Sequence, residues 1–160
     1  MQVFEVIEKI STGQFCLIPI RADGSIEEET PPLNSDVRHF CEAMAALYQK
    51  VGCQPPWVGY VSIFQGQAVG GGAFVAPPID NRVEIAYFTS PEYQRRGNAK
   101  LTAKRLIEIA KDAAPSVLPF AKTEPQVNSS TGILTGLGFT HVGSTTDEEI
   151  GEAWLWVFER

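Results

Sequence analysis

The sequence contains few of the residues that build metal or disulfide sites. It has three cysteines and two histidines in 160 residues. The spacing of Cys16, Cys41 and Cys53 is not that of metal ligands, which argues against a zinc site. Their number is odd, which argues against a disulfide framework. We therefore expect reduced, structural thiols, no bound metal and a cytoplasmic location.

Long apolar runs are also missing. No run approaches the roughly 20 residues that a membrane-spanning helix requires, so we expect no membrane partner. The first ten residues carry Glu5 and Glu8 but no basic cluster, unlike a secretory signal peptide. The sequence has no internal repeat, and its 44% hydrophobic residues are typical of a globular protein. These features predict a single domain over residues 1–160.

The charge is unevenly distributed along this acidic chain of net charge −6. Residues 82–111 hold seven Lys and Arg against three Asp and Glu, whereas the other residues hold six against sixteen. A local basic segment indicates an anionic ligand. A nucleic acid is not expected, because it usually needs a broad basic face. A solvated helix face explains Lys100 and Lys104, which are four residues apart, but not Arg95 and Arg96.

Strand-like and helix-like segments alternate in an order typical of an α/β (α+β) domain with a mixed sheet. Asp36 is expected to cap the first helix, and Gly52 to end it. Strands are predicted over residues 4–10, 15–20, 57–64, 68–76, 82–89, 116–123, 139–144 and 153–158, and helices over 37–51, 98–112 and 129–136, with a turn over 145–152.

Gly70, Gly71 and Gly72 form a triplet inside one predicted strand. No Lys-Ser or Lys-Thr pair and no helix pattern follows it, so a phosphate-binding loop is not indicated. Glycines within a strand usually mark a bulge or close packing of another element against the backbone. We therefore expect a structural role for this triplet.

Residues 94–99 form the best candidate for a ligand site. They lie between the strand over 82–89 and a helix, whose first N–H groups lack internal partners and carry partial positive charge. A phosphate diester binds readily at such a place. Gly97 has no Cβ and permits a positive φ and close approach of a ligand, while Arg95, Arg96 and Lys100 add positive charge. The spacing Gln-x-x-Gly-x-Ala fits neither a Rossmann fingerprint nor a P-loop.

The stretch from residue 84 to residue 110 resembles the acyl-CoA-binding segment of the GCN5-related N-acetyltransferases (GNAT), which carries Gln/Arg-x-x-Gly-x-Gly/Ala. Residues 123–139 resemble the closing motif of the same superfamily, which runs Thr-x-Pro-x-Asn-x-x-Ser, a short helix and Leu-Gly-Phe. The match is closest to the RimJ/RimL-like branch, which acetylates N-termini of ribosomal proteins. Together the motifs cover about residues 80–145.

The resemblance implies a single-domain GNAT fold, with a mixed, mostly antiparallel central sheet and helices on both faces. It also implies acetyl-CoA as co-substrate, with its pyrophosphate wrapped by residues 94–99. Val127 stands where the branch has asparagine, and Asn128 follows one step later; Leu134 stands where many members have a tyrosine that protonates the leaving thiolate. The cofactor-binding residues implied are Tyr87, Phe88, Thr89, Gln94, Arg95, Arg96, Gly97, Asn98, Ala99, Lys100 and Asn128.

The implied chemistry is transfer of an acetyl group from a thioester to an amine by direct attack. An aliphatic amine has a pKa near about 10, so a base must take its proton at neutral pH. Glu84 is the candidate base, and its alternative role is an ion pair with Arg82 or with a neighbouring strand. A backbone N–H near Phe88 or Thr89 is expected to bind the oxyanion. Ser130 is the candidate acid, and its alternative role is to cap the short helix.

The leading hypothesis is therefore an acetyl-CoA-dependent N-acetyltransferase. A non-catalytic acyl-CoA-binding regulatory or assembly module is the main alternative, and a nucleotide-binding α/β domain is a third. The acceptor amine belongs to a small molecule or a protein N-terminus, and the acidic stretches at 27–29 and 147–149 are compatible with a cationic one. An exposed C-terminal strand over 153–158 would make a homodimer plausible.

Overall fold

A computed structural model describes residues 14–27 and 30–159. The strand predicted over residues 4–10 lies outside the described residues. The described elements are β1 (Cys16–Pro19), α1 (Ser35–Val51), β2 (Gly59–Phe64), β3 (Gln67–Phe74), β4 (Arg82–Thr89), a 3-10 turn (Pro91–Tyr93), α2 (Asn98–Ala113), β5 (Leu118–Thr123), α3 (Ser129–Leu137), β6 (Phe139–Asp147) and β7 (Gly151–Phe158).

The strands form one sheet in the order β1-β2-β3-β4-β5-β7-β6. Every neighbouring pair is antiparallel except β4 and β5, which are parallel. The predicted mixed, mostly antiparallel sheet is therefore confirmed, and β4 occupies its centre. A parallel pair requires a crossover connection, and α2 supplies it.

Two glycines of β3 show that helices cover both faces of the sheet. Successive strand residues point to opposite faces. A Cβ on Gly71 would lie 2.5 Å from the ring of Phe40 in α1, whereas a Cβ on Gly72 would lie 2.7 Å from Thr102 in α2. The two helices thus pack on opposite faces of the sheet. Each helix can approach β3 this closely because the strand has a glycine, which lacks a Cβ, at the point of contact. The predicted structural role of the glycine triplet is confirmed.

Helix α1 ends where the sequence predicts but is capped by a different residue. Gly52 follows the helix with φ 87°. The predicted cap at Asp36 is wrong, because the Asn34 side chain accepts a 2.9 Å hydrogen bond from the Val37 N–H. Asp36 instead lies in the first turn, where its negative charge is favourable near the positive end of the helix dipole.

The last two strands are longer than the sequence pattern predicts. The expected turn over residues 145–152 is largely wrong, since β6 continues to Asp147 and β7 begins at Gly151. The polar Thr145 and Thr146 are β-branched and suit a strand whose face is open to solvent. The remaining tight turn over 148–150 brings Asp147 and Ile150 towards the end of β5.

None of the helices in the described residues is long and apolar enough to cross a membrane. The core forms where α1 and α2 pack on the sheet. Val37 and Met44 of α1 and Ala103, Leu106 and Ala110 of α2 are buried, at the helical spacing the sequence shows.

Candidate active site

The parallel strands β4 and β5 separate along their length. They pair only from Arg82 to Glu84 on β4 and from Leu118 to Phe120 on β5, although both strands continue further. Beyond this point lies a cleft of about 250 Å³. It is lined by Ile85, Ala86, Tyr87, Ala121, Lys122, Thr123, Glu124, Asn128, Ser130, Leu134 and Ile150.

Alternation along β4 determines which backbone groups face this cleft. The Glu84 carbonyl accepts a hydrogen bond from Val75 N–H, and Ser90 N–H donates to the Val69 carbonyl. The backbone N–H and C=O groups of the even-numbered residues of β4 therefore point towards β3. The amide of Phe88 therefore points to β3, whereas the amides of Tyr87 and Thr89 point to the open side. The Thr89 carbonyl fits this pattern, because it accepts a 3.0 Å hydrogen bond from the Gln94 side chain. Of the two predicted oxyanion donors, Thr89 has the suitable direction.

The loop over residues 94–99 has an open helix start. Gly97, at φ 81°, precedes α2 and makes no side-chain cap, and Arg95 also has a positive φ of 65°. The first intrahelical bond runs from Leu101 N–H to the Gly97 carbonyl. The N–H groups of Asn98, Ala99 and Lys100 precede it and so have no intrahelical acceptor. The side chains of Gln94, Arg95, Arg96 and Lys100 are exposed around this point, and the arrangement fits a bound pyrophosphate.

Asn98 is placed differently from the other residues of this loop. It is buried, and its side-chain amide donates a 3.1 Å hydrogen bond to the Tyr93 carbonyl. In the described part of the chain, its Oδ1 and the Thr89 hydroxyl are buried without a hydrogen-bond partner. Asn98 thus reaches a ligand only through its backbone, while its side chain joins α2 to the turn before the loop.

Helix α3 begins at the far wall of the cleft. Asn128 is its cap: the side chain accepts from Thr131 N–H at 3.1 Å, and the Thr131 hydroxyl accepts from Asn128 N–H at 2.9 Å. The alternative prediction that Ser130 caps this helix is therefore wrong, because the chain takes its extended conformation two residues earlier. Ser130 lines the cleft, as does the fully buried Leu134.

Tyr87 crosses the cleft from β4 towards α3. Its hydroxyl lies 3.5 Å from the Ser130 carbonyl, to which it donates. Burial raises the pKa of Tyr87 to about 12, so the phenol stays protonated at neutral pH and is a hydrogen-bond donor. The family resemblance implied Tyr87 as a cofactor-binding residue.

Glu84 is held in a group of three charged side chains. Its Oε1 lies 3.6 Å from Lys122 Nζ, which also lies 3.7 Å from Asp147 Oδ2. The alternative role predicted for Glu84, an ion pair with a neighbouring strand, is confirmed. Burial raises the pKa of the Glu84 carboxyl above its usual range; Lys122 opposes this effect, whereas Asp147 adds to it. A carboxylate with a raised pKa is suited to accept a proton near neutral pH.

Comparison with known proteins identifies the family of this chain. Residues 26–139 match the acetyltransferase (GNAT) family. The chain belongs to this family. No match to the sequence is found among curated proteins.

Solved structures share the GNAT fold with this chain at low sequence identity. RimL, the ribosomal L7/L12 alpha-N-protein acetyltransferase, superimposes with a TM-score of 0.66 at 16% identity, over 89% of this chain and 91% of that chain. The microcin C7 self-immunity acetyltransferase MccE, in complex with acetyl-CoA and AMP, gives 0.61 at 17% identity, over 79% and 71%. The ribosomal-protein-S5-alanine acetyltransferase from Vibrio fischeri gives 0.60 at 14% identity, over 79% and 75%.

These findings confirm the predicted GNAT fold and, at the level of the fold, the likeness to the RimL-like branch. The protein is an acetyl-CoA-dependent N-acetyltransferase, as the two sequence motifs predicted. Within the described ranges, no group of three or more His, Cys, Asp or Glu side chains is placed to hold a metal ion.

Lys122, a cation that lines the cleft, was not among the site residues predicted from the sequence. One signal was available, since Lys122 is the single charged residue of the mostly apolar strand β5. Its partners come from β4 and β6, and no local pattern identifies them.

Proposed function

We propose that the protein transfers the acetyl group of acetyl-CoA directly to the amine of a cationic acceptor, with Glu84 as the general base. The cleft between β4 and β5 carries this proposal, because it opens beside Glu84 and lies next to the uncapped start of α2. The proposal includes a single acetyltransferase domain over residues 1–160 and a cytoplasmic location.

The cofactor would lie with its pyrophosphate on the backbone amides at the start of α2. Arg95, Arg96 and Lys100 would neutralise its charge, and the pantetheine arm would enter between β4 and β5. The amides of Tyr87 and Thr89 would then face the thioester. A donor held in place before the reaction stabilises the oxyanion more than a mobile one does.

Direct attack is favoured over a covalent acetyl-enzyme. Among the described residues that line the cleft there is no cysteine, and both Cys16 and Cys41 are buried elsewhere. The acceptor ammonium would give a proton to Glu84, and the neutral amine would attack the carbonyl. Ser130 would be placed to donate a hydrogen bond to the departing thiolate, and the phenol of Tyr87 would do so after releasing its 3.5 Å bond to the Ser130 carbonyl.

The charge at the cleft indicates the acceptor class. Glu124 lines the cleft, and Asp147 and Glu149 lie near enough to Glu84 to raise the pKa of its carboxyl. Four carboxylates at or near the cleft, two of them paired with Lys122, favour a cationic amine. The names of the similar structures include both protein N-termini and a microcin immunity function, so an N-terminus and a small molecule are both candidates.

The test is free-thiol release from acetyl-CoA with a panel of cationic and neutral amines. Glu84→Gln should lower kcat about 100-fold or more, as loss of a general base does. Its stabilisation by CoA in a thermal-shift assay should remain. Glu108→Gln, on the exposed face of α2, is the matched control and should keep full activity. Full activity in Glu84→Gln, or a panel in which neutral amines react best, would contradict the proposal.

A further inference from the structure

The ion pair of Lys122 places a primary amine of the protein beside the proposed base. Lys122 Nζ lies 3.6 Å from Glu84 and 3.7 Å from Asp147, and its side chain is 23% exposed. The ammonium of an acceptor would need the same two carboxylates. Lys122 therefore occupies the position that the proposed function assigns to the substrate amine.

Lys122 also belongs to the wall of the cleft. It follows Phe120, the last residue of β5 that pairs with β4, so its side chain spans the gap at the point where the two strands separate. Among the described residues that line the cleft, it is the single side-chain amine. The other lysine nearby, Lys100, is exposed at the start of α2, close to Gly136 of α3.

We propose that Lys122 is a self-acetylation site: in the absence of an acceptor, its Nζ attacks acetyl-CoA bound in the same cleft. This inference rests on the proposed function of Glu84 and on binding of the cofactor between β4 and β5.

The reaction uses the same chemistry as acceptor turnover. The Lys122 ammonium gives one proton to Glu84, and the neutral Nζ forms a bond to the acetyl carbonyl carbon. As the tetrahedral intermediate collapses, the carbon–sulfur bond breaks, and the second proton from Nζ passes to the thiolate. The products are Nζ-acetyl-lysine, CoA thiol and one proton that Glu84 releases to solvent.

Acetylation would change the charge of the site. The amide product carries no positive charge, so both ion pairs of Lys122 are lost. A cationic acceptor competes with Lys122 for Glu84 and Asp147, and therefore an acceptor at saturating concentration should protect Lys122 from modification.

The experiment incubates the full chain with acetyl-CoA alone and measures acetylation of each lysine by peptide mass spectrometry. Lys104, exposed on α2, reports ordinary chemical acetylation by the thioester. Lys122 should react faster than Lys104, and its rate per chain should not depend on protein concentration, because the attack is intramolecular. Glu84→Gln should slow acetylation of Lys122 about 100-fold or more and leave Lys104 unchanged. Lys122→Arg should keep the positive charge and remove this one modification.

Several results would overturn the proposal. One is a Lys122 rate equal to that of Lys104, and another is a rate that Glu84→Gln does not change. A rate that rises with protein concentration would also overturn it, since it indicates attack between molecules. A further result is acetylation of an added amine although Lys122 stays unmodified when no amine is added. In that case self-acetylation is wrong and the proposed function stands. If neither the added amine nor Lys122 is acetylated although CoA binds, both the self-acetylation and the proposed function are wrong.

Discussion

Gly70 is a position where a single methyl group should disturb the cleft without contacting it. Gly70 pairs with Thr89 across β3 and β4. A Cβ added there would lie 2.3 Å from the Phe88 carbonyl oxygen and 2.9 Å from the Thr89 Cα, whereas ordinary contacts are 3.4–4 Å. Both atoms belong to the backbone of β4, so no rotamer change relieves the clash.

The distances give the size of the effect expected for Gly70→Ala. Strand β4 has to move by about 1 Å at Phe88 and Thr89 to restore an ordinary contact, and overpacking of this kind costs about 1–3 kcal/mol of stability. For a chain of this size, each kcal/mol lowers Tm by about 2–4 °C. A shift of about 1 Å in groups that position a substrate can reduce activity about 100-fold. Because the Thr89 amide faces the cleft, kcat/KM should fall in this range.

The assay compares thermal unfolding and thiol release for Gly70→Ala and for Gly132→Ala. Gly132 lies in α3, and a Cβ there would meet no atom within 4 Å. Alanine should stabilise that helix by about 0.5–1 kcal/mol and leave activity unchanged. If Gly70→Ala unfolds at the parent temperature and retains full kcat/KM, then β4 is not held at this distance from β3, and the packing of the two strands does not fix the position of the Thr89 amide.

Three further predictions concern the residues around the cleft. Asn128→Ala removes the cap of α3 and its reciprocal bond with Thr131, and should cost about 1 kcal/mol in urea unfolding; no loss would show that another group caps the helix. The folded-state pKa of Glu84 is raised, so protonation of Glu84 stabilises the fold at low pH, and this contribution is lost as the pH rises through the folded-state pKa. Glu84→Gln should therefore be more stable than the parent at neutral pH but not near pH 4, and lower stability at neutral pH would contradict this sign. Lys122→Met removes the cation that lowers the pKa of Glu84, so the acidic limb of kcat/KM should move to higher pH, and an unmoved limb would argue against Glu84 as the base.

Most of the fold was predictable from the sequence because its signals are local. The nearly continuous apolar run of β4 and the helical spacing of Ala103, Leu106 and Ala110 each involve residues a few positions apart. The errors occurred at the ends of elements. Asn34 rather than Asp36 caps α1, since a cap depends on which residue leaves the helical conformation, and two acceptors only two residues apart look alike in a sequence. The β6–β7 hairpin was underestimated because its polar residues also suit a turn.

The charged group around Glu84 was not predictable in the same way. Glu84, Lys122 and Asp147 lie on three different strands, and they meet only because β5 is the parallel neighbour of β4 and β6 extends to Asp147. The alternative role predicted for Glu84 was an ion pair with Arg82 or with a neighbouring strand, but the identity of the partner depends on strand order. Strand order is a property of the whole sheet.

The two halves of the site therefore differ in how they recognise ligands. In the proposed site, the cofactor half would consist of contiguous residues that act mainly through backbone amides, and the sequence shows it as a motif. The proposed acceptor half would consist of side chains that converge from distant parts of the chain. Changes at Arg95 or Arg96 should accordingly weaken activity towards all acceptors to the same degree, as measured by the KM for acetyl-CoA. Changes at Glu124 or Glu149 should alter the ranking of acceptors in the amine panel, because they change the charge that the acceptor meets. An equal loss of activity for every acceptor after Glu149→Gln would show that acceptors bind away from Glu149.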